Sequence, residues 1–333
     1  MHSSSVPDSR NNETTDEKQP NPLHPLNIQF LALLAPFSVF GVLARLGLSA
    51  LANYPGQSIF QLIYPQAVGC LAMGFCLALK EPFSRYYPPA YTALTTGKQA
   101  TADFEIRLNS LQSWLNTEGV SRSVLSSVID GICKTVFTAC ISLASIHYGM
   151  HLAGLVSPYF HAANPPSRVS RHTISALSVC IYAATIPAYY LLPRSYRHQA
   201  TAALLFSFPG TLTRYLLSTY LNPVIASFPL GTFAANTSGT ALLGTFHVLQ
   251  GTATHPLSSK SCTILQGLAD GYCGCLTTIS TLAAEVLMLK TAAHKYRYGF
   301  ITWATGQLIL LAIFGSLVWG GDISKQQTCD FES

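Results

Sequence analysis

Four hydroxyl residues, Thr277, Thr278, Ser280 and Thr281, follow Gly271 and Gly274 inside an otherwise apolar block that runs to Glu285. Their side chains donate and accept hydrogen bonds, and away from water they need partners. Two glycines beside a hydroxyl run predict a broken helix, tolerated at membrane depth only where it is buried in protein or lines a polar cavity. Unwound backbone and half-helix ends are common ion-binding devices in membrane transporters. Asn236 adds a carboxamide, with donors and an acceptor, in a neighbouring apolar segment. Arg45 and Arg214 each place a guanidinium within an apolar helix. Such an arginine is expensive, which points to a functional or packing role; snorkelling to the interface is the alternative reading.

The elements that must position these groups come in long apolar blocks. The chain of 333 residues is 49% hydrophobic and 10% charged, against about 25% charged in a soluble domain. Residues 28–52, 58–79, 135–156, 173–192, 199–220, 229–250 and 299–320 each approach the ~20 residues that span a bilayer. Residues 261–290 form a longer, Gly-interrupted block. The pattern predicts an all-α polytopic membrane protein. Residues 1–26 are Ser/Asn/Pro-rich and read as a disordered tail without the features of a cleaved signal peptide. The net charge of +5 is scattered over loops, so nucleic acid is not an expected partner.

The chain contains one membrane segment twice. Residues 37–53 align without gaps to residues 206–222, with eight of seventeen positions identical, Arg45 opposite Arg214 among them. The next element repeats as well, Pro65–Gly74 against Ala235–Gly244, so that Gly69 and Gly74 recur as Gly239 and Gly244 and Gln66 falls opposite Asn236. Small residues at this spacing let helices approach closely in lipid.

These motifs, together with Gly-Tyr-Cys-Gly-Cys-Leu-Thr-Thr-Ile-Ser at 271–280, resemble the CrcB/Fluc family of fluoride channels in its tandem eukaryotic form. The resemblance covers roughly residues 28–320 and implies two inverted four-helix repeats joined by a linker transmembrane helix, about nine helices in all. It divides the chain into a tail (1–26), a first repeat (27–156), a linker (157–198, with its helix at 173–192), a second repeat (199–321) and a closing tail (322–333). The single chain would then be a monomeric pseudo-dimer in the lipid bilayer. It would pass fluoride outward through the plasma membrane, passively and without ATP, and confer fluoride resistance.

The same resemblance implies a fluoride path at Asn236, Thr278, Ser280 and Thr281. Fluoride is strongly hydrated, so its path must replace water with closely placed donors. It further implies a structural sodium ion on backbone carbonyls of the two broken helices, at Gly274 and Thr277 in the second repeat and at Ala100 and Asp103 in the first. Aromatic edges would also face the anion. The second repeat has Ile279 and Leu282 at the aromatic positions, so the first repeat is expected to supply them.

The first repeat departs from the family between residues 84 and 117. After Ala93–Gly97 the chain carries Lys98, Asp103, Glu105 and Arg107, with Phe104 the nearby aromatic and one position out of register. These charges do not suit hydrocarbon. The third helix of the first repeat therefore reads as degenerate, and Gln66 as a degenerate copy of Asn236. A non-conducting or defective paralogue of the same family, or a mis-spliced sequence of it, is thus an alternative reading, and an unrelated repeat-built small-solute transporter is another. No enzyme is expected, since no segment sets a nucleophile beside its base at motif spacing.

Other groups are assigned structural roles. His147 and His151 read as ordinary buried or interfacial histidines, and Glu285 as a structural acid pairing with a base such as Lys290. The nine cysteines, Cys70, Cys76, Cys140 and Cys180 among them, read as small core residues rather than a disulfide framework; Cys273 and Cys275 are too close for a zinc knuckle. Lysines and arginines occur in loops of both parities, so sequence alone leaves the orientation open.

Overall fold

A computed structural model describes residues 26–52, 63–97, 124–159, 165–251 and 257–315, together with Cys329 and Phe331. Its described elements are helices. In the first half they are α1 (Ile28–Leu51), α2 (Ile63–Ala78), α3 (Lys80–Tyr86), α4 (Pro88–Gly97) and α5 (Val124–Val156). Then come α6 (Arg168–Ala183) and α7 (Thr185–Leu191), followed by α8 (Ala202–Leu221) and α9 (Leu230–Gly251). In α10 (Ser259–Gly267) the helix widens into a π-helical turn at Leu268–Cys273 and ends with α11 (Gly274–Leu276); α12 (Ile279–Met288) and α13 (Ala292–Leu310) complete the chain.

Local chemistry sets these boundaries. The Asn27 side chain accepts from the N–H groups of Gln29 (2.9 Å) and Phe30 (3.3 Å) and starts α1. Ser167, Ser258 and Thr291 cap α6, α10 and α13 in the same way. The linker expected at 173–192 is longer, 168–191, and interrupted at Ala184. Pro187 lies three residues on and has no N–H to bond the backbone behind it.

Among the described residues, four helical stretches are long and apolar enough to cross a bilayer: Ile28–Leu51, Ile129–Tyr159, Arg168–Leu191 and Ser259–Met288. Large apolar side chains such as Phe40, Leu43, Phe137, Leu177 and Phe300 stand exposed around the bundle, the surface a lipid solvent requires.

The two halves repeat one packing scheme. In the first, α4 packs on α1 and α5 on α2; in the second, the α10 segment packs on α8 and α13 on α9. Helices α1 and α8 cross between the halves and run antiparallel, since the Phe30 ring, at the start of α1, lies 4.4 Å from the Tyr215 ring, near the end of α8. The two copies of the repeated segment thus run in opposite directions. Helix α12 also crosses over, and its Ala283 and Ala284 enter the core that Cys70 and Met73 of α2 form with Ile146 of α5.

The repeated glycines work as close-approach sites. Gly74 faces the Ile146 backbone of α5, and Gly244 faces Leu310 and Ile313, at and just beyond the end of α13. Each second helix thus uses the same position against its own fourth helix.

Candidate functional site

The third helix of the second half breaks within the hydroxyl run. Thr277 (φ −78°, ψ 151°) and Thr278 (φ −157°, ψ 118°) are extended, and α12 resumes at Ile279. The Thr277 hydroxyl donates to the Cys273 carbonyl at 3.0 Å. The Thr278 N–H leaves the helical ladder and donates to Asn236 Oδ1 at 2.6 Å, while Asn236 Nδ2 donates to the Thr278 carbonyl at 3.0 Å. One carboxamide therefore replaces two backbone partners that the break removes. The second N–H of Nδ2 makes no hydrogen bond among the described residues and is left to donate elsewhere.

Thr278 has a further duty that the sequence reading did not assign. Its hydroxyl accepts from the Thr281 N–H at 3.2 Å, which makes it the N-cap of α12, and it donates to Thr281 Oγ1 at 3.0 Å. Ser280 Oγ lies 3.4 Å from the Thr278 hydroxyl oxygen. Gly239 makes room for the break, since a Cβ there would run into the Thr277 methyl. Asn236, Thr277, Thr278 and Ser280 are each 0% exposed, while Thr281 is half-buried.

These groups belong to a longer polar face. Thr232, Asn236 and Thr240 stand at i, i+4 and i+8 of α9 and are fully buried. The Thr240 hydroxyl has no hydrogen-bond partner among the described residues. Below them, Glu285 accepts from Thr232 Oγ1 (2.6 Å), Asn222 Nδ2 (3.1 Å) and the Tyr298 hydroxyl (2.6 Å). This corrects the expected pairing with Lys290: the partners of Glu285 are neutral donors from α9, α13 and the turn after α8. Thr302, one turn beyond Tyr298, is buried as well. The sequence reading found Asn236 and missed Thr232, Thr240, Tyr298 and Thr302. The fourfold spacing of hydroxyls around Asn236 was the signal available.

The helix-one arginines neither snorkel nor stand open. Arg45 Nη2 donates to the Asp270 carbonyl (2.6 Å) and to Asp270 Oδ1 (3.3 Å), a pair with side chains 5% and 10% exposed. Gln266 Nε2 holds Asp270 Oδ2 at 2.7 Å, and Gln250 Nε2 holds Gln266 Oε1 at 3.1 Å. Arg214 donates to the Thr96 carbonyl in α4. Each arginine thus crosses to the third-helix segment of the opposite half, a role that could not be read without knowing the partner.

In the first half Gln66 is also fully buried, with Nε2 donating to Ser142 Oγ of α5 (3.0 Å) and to Cys70 Sγ (3.3 Å). Its Oε1 has no hydrogen-bond partner among the described residues. Beside it, between α5 and α13, is a cavity of about 350 Å³. Thr135, Thr138 and Ser142 line one wall, Ile279 and Leu282 of α12 the floor, and Trp303 and Gln307 the far wall. The positions where the family's aromatics would fall therefore face a hydroxyl stripe with aliphatic side chains. That stripe was a second feature missed by the sequence reading. Gly69 lines a separate crevice between α1 and α2.

Phe104, Ala100 and Asp103 lie outside the described residues. His147 and His151 are exposed on α5, and no group of three metal-ligating side chains occurs among the described residues. Cys70, Cys76, Cys273 and Cys275 are buried, but Cys140 and Cys180 face outward, and Cys262 is bonded to Cys329. The reading of all nine as core thiols is corrected on both counts, because the disulfide joins residues too far apart in sequence for spacing to reveal.

The fold and site define a class: a polytopic helical membrane protein of two related halves, organised around a broken helix. A family model described as "CrcB-like protein, Camphor Resistance (CrcB)" matches residues 201–318. The chain is 30% identical to Fluoride export protein 1 of Neurospora crassa over 87% of its length and 66% of that protein's, just under two thirds. It is 31% identical to Fluoride export protein 1 of Candida albicans, over 85% of this chain and 78% of that protein. It is 36% identical to Fluoride-specific ion channel FluC 1 of Yersinia pseudotuberculosis over 32% of this chain but 76% of the bacterial one, as expected if one bacterial chain corresponds to one half. No solved structure matches. The chain belongs to the CrcB family.

Proposed function

We propose that the protein is a passive fluoride channel of the plasma membrane, and that the anion moves along the polar face of α9 beside the break. The observation that carries this reading is the buried column Thr232, Asn236 and Thr240 set against Thr278 and Ser280. Fluoride gives up strong hydration, so it needs donors in a dry, narrow setting. The second Asn236 N–H and the Thr240 hydroxyl supply them without taking a hydrogen bond from the protein. The names of the relatives, fluoride export proteins and a fluoride-specific channel, support fluoride as the ion. Outward flow needs no energy input: hydrogen fluoride enters from an acidic exterior, ionises inside, and the anion leaves down its gradient.

The sodium ion implied by the family fits one of its two second-half positions. The Thr277 carbonyl leaves the helical ladder at the break, as its ψ of 151° dictates. Gly274, by contrast, lies against the guanidinium of Arg45, whose positive charge opposes a cation. Thr277 would therefore be the contributing residue, the ion would brace the break, and no transport step passes through it.

The test is fluoride efflux from liposomes carrying the purified protein, read with a fluoride electrode beside a chloride control. Selective fluoride loss is expected. Thr240→Val, close in shape, should slow efflux about tenfold, the loss of one hydrogen bond to a charged ion. Asn236→Asp should abolish it by placing a carboxylate on the path. A folded, inserted protein without flux would favour the non-conducting reading, which the charges between Lys98 and Arg107 motivate. Unchanged flux in both variants would remove this face of α9 from the path.

A further inference from the structure

We infer that the end of the bundle carrying the Cys262–Cys329 disulfide faces the oxidising exterior, so that the chain enters α1 from the cytosol. Cys262 lies in the first turn of α10 and is fully buried against its partner, 67 residues away in sequence. The helix directions then define two ends. Helix α9 finishes, and α10 starts, at the disulfide end. Helix α8 therefore ends at the opposite side, and α1 begins there, beside Tyr215.

Two independent observations assign the sides. Disulfides form and persist in the secretory lumen and outside the cell and are rare in the cytosol. The charges agree. Lys80, Arg168, Arg171, Lys290, Lys295 and Arg297 lie at the α1-start end, where the Arg171 guanidinium sits 5.5 Å from the Tyr87 ring. Arg194, Arg197 and Lys260 lie at the disulfide end, and Lys134, deeper along α5 from that end, is paired with Asp130 at 3.1 Å. Cytosolic ends carry the excess of Lys and Arg. The balance that sequence parity left open is resolved once the helices have directions.

The bond forms by thiol–disulfide exchange with an oxidised dithiol oxidase of the secretory lumen. The two cysteine thiols lose two protons and two electrons, the new S–S bond forms, and the oxidase disulfide is reduced to a dithiol. Once made, it fastens the segment at Cys329 to the outer end of α10. Gln266, one turn further along that helix, holds Asp270. The inference does not depend on fluoride being the transported ion.

The experiment labels intact cells expressing the full chain carrying Cys133→Ser, which removes a free exposed thiol of α5, with a membrane-impermeant maleimide-polyethylene glycol, before and after an impermeant phosphine reductant. A gel shift is expected only after reduction, and it should be absent from the Cys262→Ser/Cys329→Ser double variant. Labelling before reduction would show free thiols, and labelling that requires permeabilised cells would reverse the orientation; either overturns the inference. A tag appended after Ser333 of the wild-type chain gives a readout that does not need the double variant to fold. Antibody binding in intact cells supports the assignment, and binding only after permeabilisation overturns it.

Discussion

Gln66 and Asn236 occupy one position in the two halves, yet they do different work. Asn236 spends its carbonyl and one N–H on the backbone of Thr278, in a helix that must break to exist there. Gln66, one methylene longer, turns to Ser142 and Cys70 within its own half and leaves its Oε1 without a hydrogen-bond partner among the described residues. An unmatched buried acceptor costs about 1–3 kcal/mol. One half keeps a carboxamide that organises a discontinuous helix; the other retains the polar residue without the same use for it. Duplicated scaffolds can hold their packing while the chemistry of one copy drifts.

Substitutions at four positions probe this asymmetry. The largest effect is expected at the arginine contact. Asp270→Ala leaves Arg45 buried without its carboxylate and should cost about 3–5 kcal/mol, read as a lower melting temperature in detergent with Asp270→Asn in between. Equal stability of the alanine variant would mean that the pair does not hold the halves together. Next come the paired glycines. Gly74→Ala drives a Cβ into the Ile146 backbone and should destabilise by about 1–3 kcal/mol. Gly244→Ala meets only side-chain ends at 3.3 Å and should stay within about 1 kcal/mol of wild type, helped by alanine's helix preference. If both melt alike, the two second helices are not packed differently. The smallest change is Gln66→Met, which trades a half-satisfied carboxamide for an apolar side chain of similar length. Stability should move by less than about 1 kcal/mol and fluoride efflux should stay near wild type; a large loss of efflux would place Gln66 on a working path.

Much of this was legible in the sequence, because repeats, glycine spacing and hydroxyl runs are local patterns. The break at Thr277 and Thr278 follows from Gly271, Gly274 and the hydroxyls beside them, and the duplicated helix from Phe37–Asn53 and Phe206–Asn222. What was not legible is pairwise and distant. No local rule says that Arg45 meets Asp270, that Glu285 meets Tyr298, or that Cys262 meets Cys329. The role of Thr278 as an N-cap was hidden for a different reason: its hydroxyl looked available until the start of α12 was fixed at Ile279.

The crossed arginines carry a consequence for how the protein is made. Arg45 and Asp270 are 225 residues apart, so at a synthesis rate of 5–20 residues per second the guanidinium waits roughly 10–45 s for its partner. During that interval α1 sits in or beside the translocon without the Asp270 carboxylate for its guanidinium, in a bilayer where a charge is costly. Arg214, in turn, finds Thr96 already made. Insertion of the first half is thus provisional until the third helix of the second half arrives. A ribosome stalled before α10 would leave a membrane intermediate in which Arg45 lacks the Asp270 contact that joins the halves.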